Sequence, residues 1–487
     1  MHRLRDTVVI APLACLVAAA PAQLDLYWAD EFDGPALDTS VWEYQIGTGA
    51  GDGLPGWGNN ELEYYTNQAA NIFIQDGMLH IVANDNHFGG ANFTSARIRT
   101  RGNLDFTYGR VEARMDLPKG QGIWPAFWML PTDSPYGGWA SSGEIDIMES
   151  INQMTTVYGT LHFGDAWPNN QSAGGNMGGM DFSQAFHVYA VEWEPNTVRW
   201  SVDGNVYRTL SRSAWNSSSA PGNPRAPFDN PFHILLNVAV GGNWPGNPDG
   251  STTFPQEMVV DWVRVYRLAQ SPFPGAPHAV PGRIEAEDFD IGYPDEAFHD
   301  CDPDNNGGVY RPDSDVDIEA CSEGGFNLGW LCAGEWTEYT VDVAQSGTYT
   351  LRARVASQNT GGALMLESDG VQVSGPMVFL NTGGWQSWTT VETQVELEAG
   401  EQVFRLVNVG GAIAEFNINW IELEQENAGC NIADVAPPFG TLDFSDVIAF
   451  LTAFGATEAS ADLAPPLGVL DFSDVIAFLT AFGGGCP

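Results

Sequence analysis

The run Gly143-Glu144-Ile145-Asp146-Ile147-Met148-Glu149-Ser150 decides how this chain is read. As a β-strand it sends Glu144 and Asp146 to one face and Ile145 and Ile147 to the other. Glu149, five residues beyond Glu144, then falls on the apolar face unless the strand carries one extra residue. A β-bulge near Met148 returns it to the side of the other two acids. Three carboxylates on one face repel each other, and crowding of this kind drives their pKa values apart, so that one ionises while another keeps its proton. A purely structural strand gains nothing from the arrangement, although a solvated acidic edge strand would tolerate it.

The neighbouring residues argue against the solvated edge. Gly122-Ile123-Trp124-Pro125-Ala126-Phe127-Trp128 places Trp124 and Trp128 on one strand face, and Trp139 closely precedes the acids. Indole faces stack on the apolar faces of sugar rings, so tryptophans beside paired acids point to a saccharide cleft. Two carboxylates with separated pKa values are the requirement for cleaving a glycosidic bond. Thr160-Leu161-His162 puts a histidine on a strand able to pair with the acidic one.

Further out, short runs with period-two alternation recur between Gly, Asn, Asp and Pro turns: Met78–Val82, Gly109–Asp116, Val157–Phe163, Val188–Trp193, Val198–Val202 and Met258–Tyr266. No long stretch with helical periodicity interrupts them, which predicts an all-β sandwich or barrel. Leu268–Gly282 is rich in Pro, Gly and Ala and reads as an extended linker. Beyond it, Trp336–Val343, Gly347–Val355 and Phe416–Leu423 predict a second, smaller β-domain. The tail holds an internal repeat: Asp443–Gly455 (DFSDVIAFLTAFG) recurs identically at Asp471–Gly483. Val447, Ile448, Phe450, Leu451 and Phe454 fall on helical spacing, with Ser445 or Asp446 available to cap the start.

The chain has 487 residues and a formal net charge of −43, with Lys119 its sole lysine and no basic residue beyond Arg405. So negative a surface repels phosphate backbones and anionic lipids, which excludes nucleic acid and membrane surfaces as partners. Arg3 and Arg5, the short apolar Thr7–Ala20 and the small-residue site Ala20-Pro21-Ala22 read as a secretory signal peptide over residues 1–22. No later stretch is long and apolar enough to insert in a membrane. The expected location is therefore extracellular, with surface attachment an option for the tail. Export permits disulfides. Cys430 and Cys486 bracket the tail as a staple, while Cys301, Cys321 and Cys332 leave one thiol over, with the pairing open.

On these motifs, residues 25–268 resemble glycoside hydrolase family sixteen, in its laminarinase branch. The matching pieces are Trp28–Phe32, Trp57–Thr66 (WGNNELEYYT), Ser95–Ile98, the Trp124–Trp128 run, the acidic strand, Gly241–Gly246 (GGNWPG) and Asp261–Tyr266. The resemblance implies a jelly-roll sandwich with an open cleft, cleaving β-1,3-glucan with retention, and mixed-linkage β-1,3/1,4-glucan as the alternative substrate. It implies Glu144 as nucleophile, Asp146 as its assisting acid, Glu149 as general acid/base and His162 as support for the latter. Asn60, Arg97, Trp124, Trp128, Trp139 and Trp244 match substrate-cleft positions. Glu31, the Gly77 carbonyl and Asp261 resemble a structural Ca²⁺ site, for which oxygen ligands are suited. Trp139-Ala140 departs from the family's more usual Trp-Pro.

Residues 283–424 resemble carbohydrate-binding module family six, through Ile284–Phe289, Gly334–Val341, Thr382–Trp388 and Phe416–Ile421. The implied mode holds a sugar ring between two aromatics, here Trp385 and Tyr310, with Asn419 bonding its hydroxyls; Glu285 and Glu287 resemble that module's Ca²⁺ site. Residues 430–487 resemble a degenerate dockerin-type duplicated segment, which implies a protein docking partner. Asp434, Asp443 and Asp446 and their repeats survive, but the intervening loop positions lack oxygen ligands. The expected organisation is signal peptide 1–22, catalytic domain 23–268, linker 269–282, binding module 283–424 and tail 430–487. A non-catalytic glucan-recognition protein on the same sandwich is the rival; such relatives lose the catalytic carboxylates, and this chain keeps both Glu144 and Glu149.

Overall fold

The computed structural model describes residues 24–312, 314–410, 415–425, 431–437, 440–465 and 468–486. The expected signal peptide lies outside them. The chain divides into two compact units, Met1–Ser271 with Ile291–Ala297, and Pro272–Asp290 with Phe298–Pro487.

The first unit is a sandwich of two antiparallel sheets. The sheet that carries the acids has seven strands: β1 (Glu43–Tyr44), β2 (Arg97–Arg99), β3 (Ile123–Pro131), β4 (Glu144–Glu149), β5 (Thr156–Phe163), β6 (Gln171–Gly178) and β7 (Phe232–Val240). Their spatial order is β6-β5-β4-β3-β7-β2-β1. The second sheet is built on Gly109–Asp116, His187–Glu194 and the long Gln256–Leu268. Alternate residues of both sheets fill the space between them, among them Phe127, Met129, Ile234, Leu236, Val191 and Val263, all fully buried. This is the period-two pattern expected of packed inner faces.

The expected bulge is present in β4. Against β3, Asp146 pairs with Trp128 and Met148 with Phe127, so two steps on β4 match one on its neighbour. Ile147 and Met148 both enter the core as a result, and Glu149 rejoins the face of Glu144 and Asp146. The indole N–H of Trp200, from the other sheet, donates to the Asp146 carbonyl at 2.8 Å. Trp200 lies so close to β5 that a Cβ at Gly159 would sit 2.2 Å from its ring; only glycine fits there.

The second unit holds a seven-stranded and a six-stranded sheet, with Trp336–Val343, Gly347–Ala356 and Phe416–Gln425 where strands were expected. One expectation is corrected. His278–Val280, read as linker, pairs in parallel with Val341–Val343. The Pro/Gly composition hid a short edge strand, a position where a following proline costs no ladder bond.

The repeats form α1 (Phe444–Gly455) and α2 (Phe472–Gly484). Their caps are Asp443 and Asp471, not Ser445 or Asp446: each accepts the backbone N–H two residues on, while Asp446 or Asp474 closes a capping box. Phe450 and Phe478 stack at a centroid distance of 4.1 Å and form the core of the pair.

Candidate active site

The bulged strand β4 brings three acids to the cleft, and β5 answers them. Glu144 pairs across to His162, Asp146 to Thr160 and Glu149 to Tyr158. His162 Nε2 lies 3.3 Å from Asp146 Oδ2 and 3.8 Å from Glu144 Oε1. Glu144 and Glu149 each have an indole donor of their own. Trp139 Nε1 donates to Glu144 Oε2 at 2.7 Å, and Trp124 Nε1 donates to Glu149 Oε1 at 2.9 Å.

Burial is the main force on these groups. It raises the Glu144 carboxyl, with Asp146 adding to the effect and His162, the Trp139 N–H and Arg97 opposing it, to about 7. Glu149 is pushed well above the carboxylate range, first by burial and then by the charges of Asp146 and Glu144. Burial resists charge on His162, but the Asp146 carboxylate facing it, with Glu144 and Glu149, outweighs that and lifts the imidazole to about 10. At neutral pH the site therefore holds an imidazolium, and the push toward the protonated form is stronger on Glu149 than on Glu144. Glu144 is the more readily ionised of the two glutamates. These are the unequal carboxyls that glycosidic cleavage requires.

The expected cleft residues separate into two groups. Trp124 packs edge-on against Trp244 at 5.5 Å, and Trp244 against Tyr158 at 5.0 Å, forming an aromatic wall beside Glu149. Trp139 stands on the Glu144 side, 5.6 Å from the His162 ring. Asn60 is exposed and donates to Asn243 Oδ1 at 2.9 Å, joining the loops around Trp57–Thr66 and Gly241–Gly246. Arg97 is close enough to Glu144 for its charge to oppose the rise of that carboxyl. It is only 7% exposed, lies between the Trp57 and Trp128 rings at 4.6 and 4.8 Å, and donates to Gln45 Oε1 at 2.6 Å.

Several supporting residues carried no expectation. Trp128 Nε1 donates to Asn237 Oδ1 at 2.8 Å, Asn237 Nδ2 to the Tyr65 hydroxyl at 3.1 Å, and that hydroxyl to Glu61 Oε2 at 3.1 Å. Glu63 is fully enclosed beside Glu61, and burial together with that neighbouring charge holds it well above the usual carboxylate range. Two acids one residue apart in Glu61-Leu62-Glu63 were the available signal, since they share a strand face.

The residues expected to hold Ca²⁺ do not fit it as a set. Arg264 binds Glu31 through two N–H donors, at 2.7 and 3.0 Å, and Arg114 pairs with Asp261 at 2.5 Å. Both carboxylates are already neutralised by guanidinium groups, and no step of the chemistry is routed through the ion.

In the second unit, Trp385 is drawn to Asn417, whose side chain donates to its carbonyl at 2.9 Å and to Glu319 at 2.7 Å. Asn419 bonds Glu323 at 3.1 Å. Tyr310 packs on Phe326 at 4.7 Å and donates to Asp288. Trp330, which carried no expectation, is half-exposed, has a φ of +50° and follows Gly329, where a Cβ would lie 3.5 Å from Asn417 Oδ1 and 3.6 Å from Glu319. Glu287 Oε2 is buried and finds no hydrogen-bond partner among the described residues, which suits a cation ligand; Glu285 is exposed. Cys301 pairs with Cys332, leaving Cys321 free. Cys486 is disulfide-bonded, and its expected partner Cys430 lies outside the described residues.

Residues 56–264 match the family model for glycosyl hydrolases family 16, and 309–425 that for carbohydrate binding module (family 6). The beta-glucanase of Rhodothermus marinus is 42% identical over 256 residues, covering 50% of this chain and 86% of that protein. The glucan endo-1,3-beta-glucosidase of Cryptopygus antarcticus is 42% identical over 258 residues, covering 49% and 92%. The chain belongs to glycosyl hydrolases family 16. A third relative, glucan endo-1,3-beta-glucosidase A1 of Niallia circulans, is 46% identical over 264 residues, 51% of this chain but only 38% of that protein. The family 16 chain is thus an enzyme of the glycoside hydrolase class, followed in sequence by a carbohydrate-binding module.

Proposed function

We propose that the family 16 domain is an endo-acting β-1,3-glucanase that works with net retention. The observation that carries this is the pairing of Glu144 and Glu149 on one face of a bulged strand, with the stronger push toward the protonated form on Glu149. The Glu144 carboxylate attacks the anomeric carbon while Glu149 gives its proton to the departing glycosidic oxygen, leaving a sugar ester on Glu144. Water then attacks the same carbon, Glu149 takes the water's proton, and the bond to Glu144 breaks. The His162 cation, held by Asp146, orients Glu144 and helps keep it ionised. The names of the relatives from Cryptopygus antarcticus and Niallia circulans favour β-1,3-glucan, with mixed-linkage glucan the alternative. Product analysis on laminarin against lichenan tests the choice: preferential cleavage of lichenan would replace it.

The family 6 module holds the enzyme on β-glucan, with Trp385 as a stacking residue and Glu287 as a Ca²⁺ ligand. The tail serves as a docking or surface-attachment segment of an exported protein. Each of its helices exposes a Phe, an Ile and a Leu in one stripe, Phe444 at 74% and Phe472 at 73%, and stripes of this kind mark interaction surfaces. Deleting residues 430–487 should spare hydrolysis and abolish attachment; normal attachment of the truncated enzyme would sink the assignment.

A further inference from the structure

Trp167 is 73% exposed, the most exposed aromatic among the described residues of the first unit. It stands at the tip of the hairpin joining β5 to β6, five residues after His162. The hairpin is anchored on two sides. The Trp167 N–H donates to the Trp139 carbonyl at 3.0 Å, and the Gly164 carbonyl accepts the Ser218 N–H at 2.9 Å. Within the loop, Asp165 Oδ1 accepts the Ala166 N–H at 2.7 Å and the Ala166 carbonyl accepts the Asn169 N–H at 2.9 Å. Glu144, Trp139 and Trp167 thus form a series: the carboxylate bonds the first indole, and the first tryptophan's backbone holds the second.

We propose that Trp167 is an outer sugar-stacking platform, extending the cleft past Trp139 to bind units of the β-glucan chain remote from the cleaved bond. An indole left in water contributes nothing to the sandwich core, which already encloses Trp42, Trp193 and Trp200. Carried on an anchored backbone, it offers a large flat apolar face with only two side-chain torsions to order on binding. Its exposed neighbour Asn169 supplies a neutral amide for hydroxyl groups, and no basic residue occurs between His162 and His187, which fits an uncharged polysaccharide. The inference rests on the glucanase reading and adds a specificity determinant to it: chain length.

The test compares kcat/KM of the full chain on laminari-oligosaccharides of increasing length and on laminarin, for wild type, Trp167→Ala and Trp167→Phe, with melting temperatures as a folding check. Wild type should gain with length. Trp167→Ala should lose about tenfold on laminarin, the equivalent of one modest stacking contact, and less than about twofold on the shortest substrate cleaved. Trp167→Phe should retain most of the length dependence. Equal activity of Trp167→Ala and wild type at every length, or the same loss at every length, would overturn the proposal while leaving the glucanase reading intact. A wild type inert on every β-1,3-glucan would overturn both.

Discussion

Asp146 and His162 face each other across adjacent strands with 3.3 Å between carboxylate and imidazole, and this contact sets the charge balance of the cleft. The imidazolium it holds lowers the cost of ionising both Glu144 and Glu149.

Replacing that cation with a neutral amide should therefore move both glutamates upward. In His162→Gln the acid limb of the kcat/KM profile should shift to higher pH, with a loss of about 10²-fold at neutral pH, the scale of one preorganised electrostatic group. An unshifted acid limb would mean that His162 does not act on Glu144.

The wild-type profile should be bell-shaped. Glu144 works deprotonated, so activity falls as pH drops through its pKa, which burial has raised to about 7. Glu149 works protonated, and its raised pKa places the alkaline limb above that of Glu144. Measured kcat/KM from acid to alkaline pH should show an acid limb above the ordinary carboxylate range. A limb near pH 4 would contradict the burial of Glu144 in solution.

In the second unit, the Cys301–Cys332 disulfide links residues 31 apart and should stabilise the module by about 2–4 kcal/mol. Reduction should lower the melting temperature of the isolated transition assigned to the module and weaken retention on insoluble β-glucan. Hydrolysis of soluble laminarin should not change.

In the tail, Asp446 uses its carboxylate to accept three backbone N–H groups, from Val435, Ala436 and Asp443, all between 2.8 and 2.9 Å; Asp474 repeats the pattern. Burial pushes the Asp446 carboxyl up, but these donors outweigh it and hold the pKa below its ordinary value. Stability from this group is thus present above the unfolded pKa and lost as pH falls through the folded one. Asp446→Ala with Asp474→Ala should abolish the helical circular dichroism of the tail, measured as the difference between the full chain and a chain lacking 430–487. An unchanged difference would show that the loops are held by other means.

The acidic strand was legible because its chemistry is local: alternation fixed the faces of Glu144 and Asp146, and returning Glu149 to them required the bulge that the register shift at Ile147–Met148 displays. His162 followed from the same period. What escaped was nonlocal. The stacking of Arg97 between Trp57 and Trp128 joins segments far apart in the chain, and the exposure of Trp330 depends on a turn that no periodicity marks. The caps at Asp443 and Asp471 were misplaced by two or three residues because Asp, Ser and Asp compete within one short stretch, and only the backbone shows which lies in the extended conformation. The Cys301–Cys332 pairing was equally open, since three cysteines close in sequence allow several bridges.

The central claim is that Glu144 attacks and Glu149 gives and then takes the proton, so that the anomeric configuration is kept. Proton NMR of the first product released from laminarin, recorded before mutarotation, tests this directly. The account requires the β-anomer to appear first. An initial α-anomer would mean direct attack by water and would contradict the role given to Glu144.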